Sequence, residues 1–162
     1  MSTSLYDVSV GTYVQILDAT SAVLAKGRAH FEENGTDVDE IVNAKLYPDM
    51  LPFSFQINSV AHHSLGALKG IEAGIFTPPP SLPELDYQGL QDLVASSRAG
   101  LDNFTEETVN GFKDKDVVFK LKDLTMPFTG EGFIPMQMRI YRPFTPQHRF
   151  RQENKLSMAS TS

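Results

Sequence analysis

Three segments of this chain carry a helical apolar period, and nothing after them reads as a fourth; that imbalance constrains the fold more than any other feature. Over residues 5–34, Tyr6, Val10, Tyr13, Leu17, Leu24 and Phe31 recur at spacings of four, three, four, seven and seven, one face of a long helix that Asn34-Gly35 ends. In LYPDMLPFSFQINSVAHHSLGALKG, Asp49 is placed to cap a first turn in which Pro52 is tolerated, because N–H groups there lack an intrahelical partner. A second helix is therefore expected over 50–72. Tyr87, Leu90, Val94, Ser97, Leu101 and Phe104 alternate at three and four, predicting a third over 86–103. Antiparallel bundles cover such faces best with four helices. The place for the fourth is after Thr129, which can cap a start at GEGFI, but Pro135 is expected to interrupt it within about one turn. The fold class that follows is mainly α, an up-down helical bundle of three long helices with the fourth truncated or missing.

The connections agree with that reading. Asp37 and Glu40 have the spacing of a capping box, predicting a short helical turn over 37–44, and Pro48 breaks it before the second helix. FTPPPSLPEL sets four prolines between 78 and 83, a stiff extended crossing. In VVFKLKDLTMPFTG, Val117, Phe119 and Leu121 alternate with Val118, Lys120 and Lys122, then the chain turns through Asp123 and resumes over 125–128, a two-stranded hairpin that must pack on the helices to persist. Beyond Pro135 no period is sustained. Five of the 14 basic residues lie there against one acid, Glu153, whereas the rest of the chain is strongly acidic. Residues 1–134 are thus expected to form the bundle domain, and 135–162 a basic, irregular tail.

With 162 residues the chain has room for one well-buried core, not two ordinary domains. The absence of cysteine excludes disulfides, thiol nucleophiles and cysteine-based metal sites, and suits a reducing compartment. No run of about 20 apolar residues and no secretion signal is read, so no membrane is expected and the localisation inferred is cytoplasmic. A net charge of −6 argues against nucleic acid as partner. Three helices without a fourth would leave an apolar groove, which a homo-oligomer or a partner helix could fill.

Candidates for chemistry reduce to the histidines. On a wheel with Phe53 at zero, Phe53, Ile57, Val60, Ser64, Leu68 and Ile71 face the core, His62 points opposite to solvent, and His63 lies at the core edge on the flank of Gln56. Consecutive histidines cannot chelate one ion, since helical pairs need spacings of three or four. His63 is a core imidazole held by a neighbour or a ligand to a divalent metal; Gln56 is its hydrogen-bonding or substrate-orienting companion. His30 and His148 assemble no triad with them, and no Ser-His-Asp set, phosphate loop or HExxH motif is present.

SLYDVSVGTYVQIL, NAKLYPDMLPFSFQINSVAHHSLGALKGIEAG, LDYQGLQDLVASSRAGLDNFT and LTMPFTGEGFI together resemble the domain-of-unknown-function family numbered 1993, which is similar to DinB-like four-helix bundles. The resemblance covers about residues 2–134. It implies an up-down bundle with a hairpin before the last helix. Many DinB-like proteins hold a divalent metal with three histidines, one on the second helix, and some are thiol-dependent transferases; His63 matches the second-helix position. The family's last helix carries a further histidine, where this chain reads PMQMRIYRPFTPQHRF, so the later ligands have no counterpart and an altered reading frame or retained intron near Ile134 would explain the break. The function that follows is binding of a small molecule or partner by a degenerate or truncated module, with Gln56 and His63 as its site; the alternative is a metal-dependent enzyme with His63 as ligand.

Overall fold

The computed structural model describes residues 4–78 and 84–139. Most of these are helical, with a small three-stranded sheet. The chain enters through a π-turn, Asp7–Gly11, and continues directly into α1, Thr12–Glu33. Ser4 starts it with a reciprocal cap: its hydroxyl accepts from the Asp7 N–H at 3.1 Å and donates to the Asp7 carboxylate at 2.7 Å. At the other end the Asn34 side chain donates to the His30 carbonyl and Gly35 adopts a φ of 67°, as the Asn-Gly pair leads one to expect. The helix over 7–33 is long and apolar enough to cross a membrane by length and composition. Its contacts with α3 and α4, where Tyr13, Leu17 and Leu24 are buried, account for its apolar face equally well.

After the short α2, Asp39–Val42, comes α3, Phe53–Ala73. It begins three residues later than expected, and Asp49 does not cap it. Pro52 takes the cap position with extended backbone and no side-chain bond. Pro52 cannot donate, and the Phe53 N–H is satisfied by the Ala44 carbonyl at 2.9 Å, so no side-chain cap is required there. Gly74, at a φ of 77°, closes α3 in the left-handed conformation that a side chain would resist. α4, Tyr87–Leu101, is capped twice: Asp86 accepts from the Gly89 N–H at 2.7 Å, and Asp39 accepts from the Tyr87 N–H at 2.8 Å. α5, Glu106–Asn110, starts on Thr105 and has no counterpart in the sequence reading.

The hairpin forms as β2, Asp116–Leu121, and β3, Leu124–Thr129, with Leu121 opposite Leu124. It is not alone. Ile75–Phe76, β1, pairs in parallel with β2, giving a sheet of order β1-β2-β3. Two residues directly after a helix carry no readable alternation, which is why the strand escapes sequence analysis.

The larger correction concerns α6, Gly130–Arg139, which runs straight through Pro135 and through the boundary expected at 134. Three of the N–H groups at its start have partners outside the helix: Gly130 donates to the Lys115 carbonyl, Glu131 to the Lys113 carbonyl and Gly132 to the Thr129 hydroxyl. Pro135 forfeits one helical bond and adds ring strain, together about 3 kcal/mol. Burial of Phe133 and Ile134, each 0% exposed, at roughly 1.5–3 kcal/mol per side chain offsets that loss. Lying on α3, α6 also covers part of the face that three helices would leave open. The proline crossing over 79–83 and the tail from 140 onward fall outside the described residues.

Candidate functional site

α3 is covered on more than one side, by α1 and α4 and also by β1, β2 and α6. Its buried face is therefore wider than the wheel suggests, and His63 is enclosed, at 6% exposure, instead of sitting at the core edge. Its Nδ1 meets the Gln137 Oε1 at 2.5 Å. Gln137, 0% exposed, turns its amide nitrogen toward the Met136 sulfur, so the oxygen accepts and His63 Nδ1 carries the proton. Phe76 of β1 packs beside the ring, with centroids 5.6 Å apart, and Phe133 stands edge-on to Phe76 at 5.2 Å. Burial is the main cause that lowers the His63 pKa below the usual imidazole range; the Gln137 bond opposes it and the neighbouring His62 reinforces it.

His62 is not left to solvent. Its Nε2 donates to the Thr77 carbonyl at 2.8 Å, and its ring lies 4.7 Å from that of Phe76. The segment following α3 folds back as β1 and brings Thr77 over the helix, which a helical wheel cannot anticipate. Desolvation lowers the His62 pKa too, against the contribution of the Thr77 bond. Both imidazoles are neutral near pH 7, with opposite tautomers.

Gln56 does not join them. Its amide donates to the Leu51 carbonyl at 3.3 Å, and it lines a shallow groove of about 280 Å³ with Ala19, Thr20 and Val23 of α1 and with Ile57 and Val60. Gln56 and His63 share a direction on the wheel but stand two turns, about 10 Å, apart along the axis.

A metal at His63 would use Nε2, because a partner on Nδ1 fixes that tautomer in many metal-ligating histidines. One imidazole is too few. Among the described residues no three His, Cys, Asp or Glu side chains come together, and the polar atom that α6 contributes, Gln137 Oε1, is engaged with Nδ1. The described side chains around His63 therefore do not by themselves make up a divalent-metal site.

A second site lies at the other end of α3. A cavity of about 440 Å³ opens between α2, the start of α3 and the start of α4. Asn58 reaches it from α3: it is 5% exposed, and its amide has no hydrogen-bond partner among the described residues. Asp39, Glu84 and Asp86 surround it, and Phe55, Leu85 and Leu90 supply apolar wall. Sequence reasoning passed over both Asn58 and Gln137. The stripe Ser54, Asn58, Ala61 of small and polar residues at helical spacing was a legible signal for the first. Phe133 and Gln137, four apart after a Thr cap, were a signal for the second, hidden by Pro135.

The profile of the domain of unknown function DUF1993 matches residues 5–138. No curated protein matches the chain. Among solved structures, that of a DinB family member protein from Shewanella denitrificans is similar, with a TM-score of 0.59 at 19% identity over 81% of this chain and 76% of that one. At that identity the likeness speaks for the fold.

Proposed function

Taking as premise that the chain belongs to the DUF1993 family, we propose that it is a DinB-like helical binding module for a small molecule, working without a resident metal in a cytoplasmic setting. The observation that carries this reading is the cavity beside Asn58. Asn58, 5% exposed, lines this cavity with an amide that bonds to no described residue, so its donors and acceptor are open to a ligand with a matching polar group. The cavity's volume falls within the range of about 300–1,000 Å³ common to small-molecule sites. On this reading His63 is a structural residue that joins α3 to α6 through Gln137. The up-down arrangement of four helices, with α6 as the short last one, belongs to the same proposal. A small-fragment library screened by amide chemical shifts on the full chain tests it. Ligands should perturb Asn58, Ser54 and Leu85 in a saturable manner; a library that leaves those signals unmoved overturns the reading.

The second reading, a metal-dependent enzyme, is favoured by one feature: Gln137 leaves His63 Nε2 as the basic nitrogen. Metal content after incubation with zinc, nickel, iron and manganese separates the two. Fewer than about 0.1 equivalents are expected; near-stoichiometric metal that disappears in His63→Ala would establish the enzyme reading instead.

A further inference from the structure

We propose that the cavity beside Asn58 takes a small organic ammonium ion, a primary amine carrying an apolar arm; this deepens the binding reading above and rests on it. Three carboxylates, Asp39, Glu84 and Asp86, border the cavity at separate points of its rim, and none takes part in an ion pair of the described residues. Two of them are held in place by backbone bonds. Asp39 Oδ1 accepts from the Tyr87 N–H and Asp86 Oδ1 from the Gly89 N–H, so each keeps its other oxygen for a ligand. The nearby start of α3 carries only about half a unit of positive charge, and its Phe53 N–H is already bonded to the Ala44 carbonyl, so the carboxylates dominate the field.

Charge alone would attract any cation. Asn58 narrows the choice, because its amide oxygen is a neutral acceptor inside the site, suited to one N–H of an ammonium group whose other protons face the carboxylates. The apolar wall of Phe55, Leu85 and Leu90 then suits an aliphatic or aromatic arm, and no three carboxylates of the described residues come together to hold a divalent metal ion directly. Asp39, Glu84 and Asp86 are exposed, so their attraction is screened by salt, while the bond to Asn58 is not.

The test is a titration of the full chain, followed by amide chemical shifts, with three probes of one shape: 2-phenylethylamine, 2-phenylethanol and 3-phenylpropanoate. The amine should move the Asn58 side-chain signal and the Ser54 and Leu85 backbone signals, saturating near about 1 mM, while the alcohol binds at least about tenfold more weakly and the carboxylate leaves them unchanged. Asn58→Leu should weaken the amine about tenfold or more. The pair Asp39→Asn and Asp86→Asn retains both caps and should weaken it by a similar factor, with a smaller salt dependence, since only Glu84 remains charged. Alcohol or carboxylate binding as tightly as the amine at these residues overturns the ammonium assignment and leaves the cavity a binding site. Shifts that survive Asn58→Leu unchanged place the amine elsewhere and overturn it as well. If no probe and no library fragment binds there, the binding reading falls with it.

Discussion

Replacing Gln137 by leucine tests the contact that joins α6 to α3. Leucine has similar volume and keeps the position apolar and filled, but it removes Gln137 Oε1, the acceptor of His63 Nδ1–H, in surroundings formed by Phe76 and Phe133. With His63 6% exposed and Gln137 0%, water cannot replace the lost bond without opening the helix contact. Leaving a buried donor unsatisfied costs about 1–3 kcal/mol, so Gln137→Leu should destabilise by about 2 kcal/mol. In a chain of this size that corresponds to a fall in Tm of about 4–8 °C. Urea unfolding should show a lower midpoint with unchanged m, since the extent of surface exposed on unfolding is the same. His63→Leu with Gln137→Leu removes donor and acceptor together and should recover at least about 1 kcal/mol relative to the sum of the singles. A single variant that costs less than about 0.5 kcal/mol, or singles that simply add, would refute the assignment of this bond as the link between the two helices.

Both His62 and His63 titrate below the usual imidazole range, so the unfolded chain binds protons that the folded chain refuses. Their contribution is complete above a pH of about 6.5 and is lost as pH falls from there toward the lowered folded values. Urea midpoints should therefore drop between pH of about 7.5 and 5.5, less steeply in His62→Gln; midpoints that hold level or rise on acidification would contradict it. A Cβ on Gly130 would lie inside the Phe112 backbone carbonyl, so Gly130→Ala should cost about 3 kcal/mol or more and detach α6, read by loss of the Gln137 signals; Gly132→Ala, whose Cβ meets only the Thr129 hydroxyl at 3.5 Å, is the near-neutral control. Lys122 holds a φ of 52° in the β2–β3 turn, and Lys122→Gly should raise stability by about 1 kcal/mol in thermal unfolding, an expectation that an unchanged or lower Tm removes.

α1 and α4 were legible because their burial follows a single period. Tyr13, Leu17 and Leu24 in α1 and Leu90, Val94 and Leu101 in α4 are buried where the spacing puts them. α3 was harder, since α6 and the sheet pack on it as well, and a wheel assumes one core direction. His62 and His63 were misplaced for that reason: what encloses them comes from Phe76, Thr77 and Gln137, none of which is near them on the helix. Pro135 hid α6 because local propensity speaks of the lost bond and is silent about Phe133 and Ile134, whose burial outweighs it. The second cavity depends on caps from distant segments: Asp39 bonds to Tyr87 across 48 residues, a pairing that no short-range spacing encodes.

The sheet has a consequence for how the molecule behaves at high concentration. Any open sheet offers its two outer strands as templates for a strand from another chain. Here one outer strand is only two residues long, and the other carries Pro127, which has no N–H to donate. Neither edge can sustain a continuous ladder, so growth of the sheet from copy to copy is blocked by the same elements that fasten it to α3 and α6.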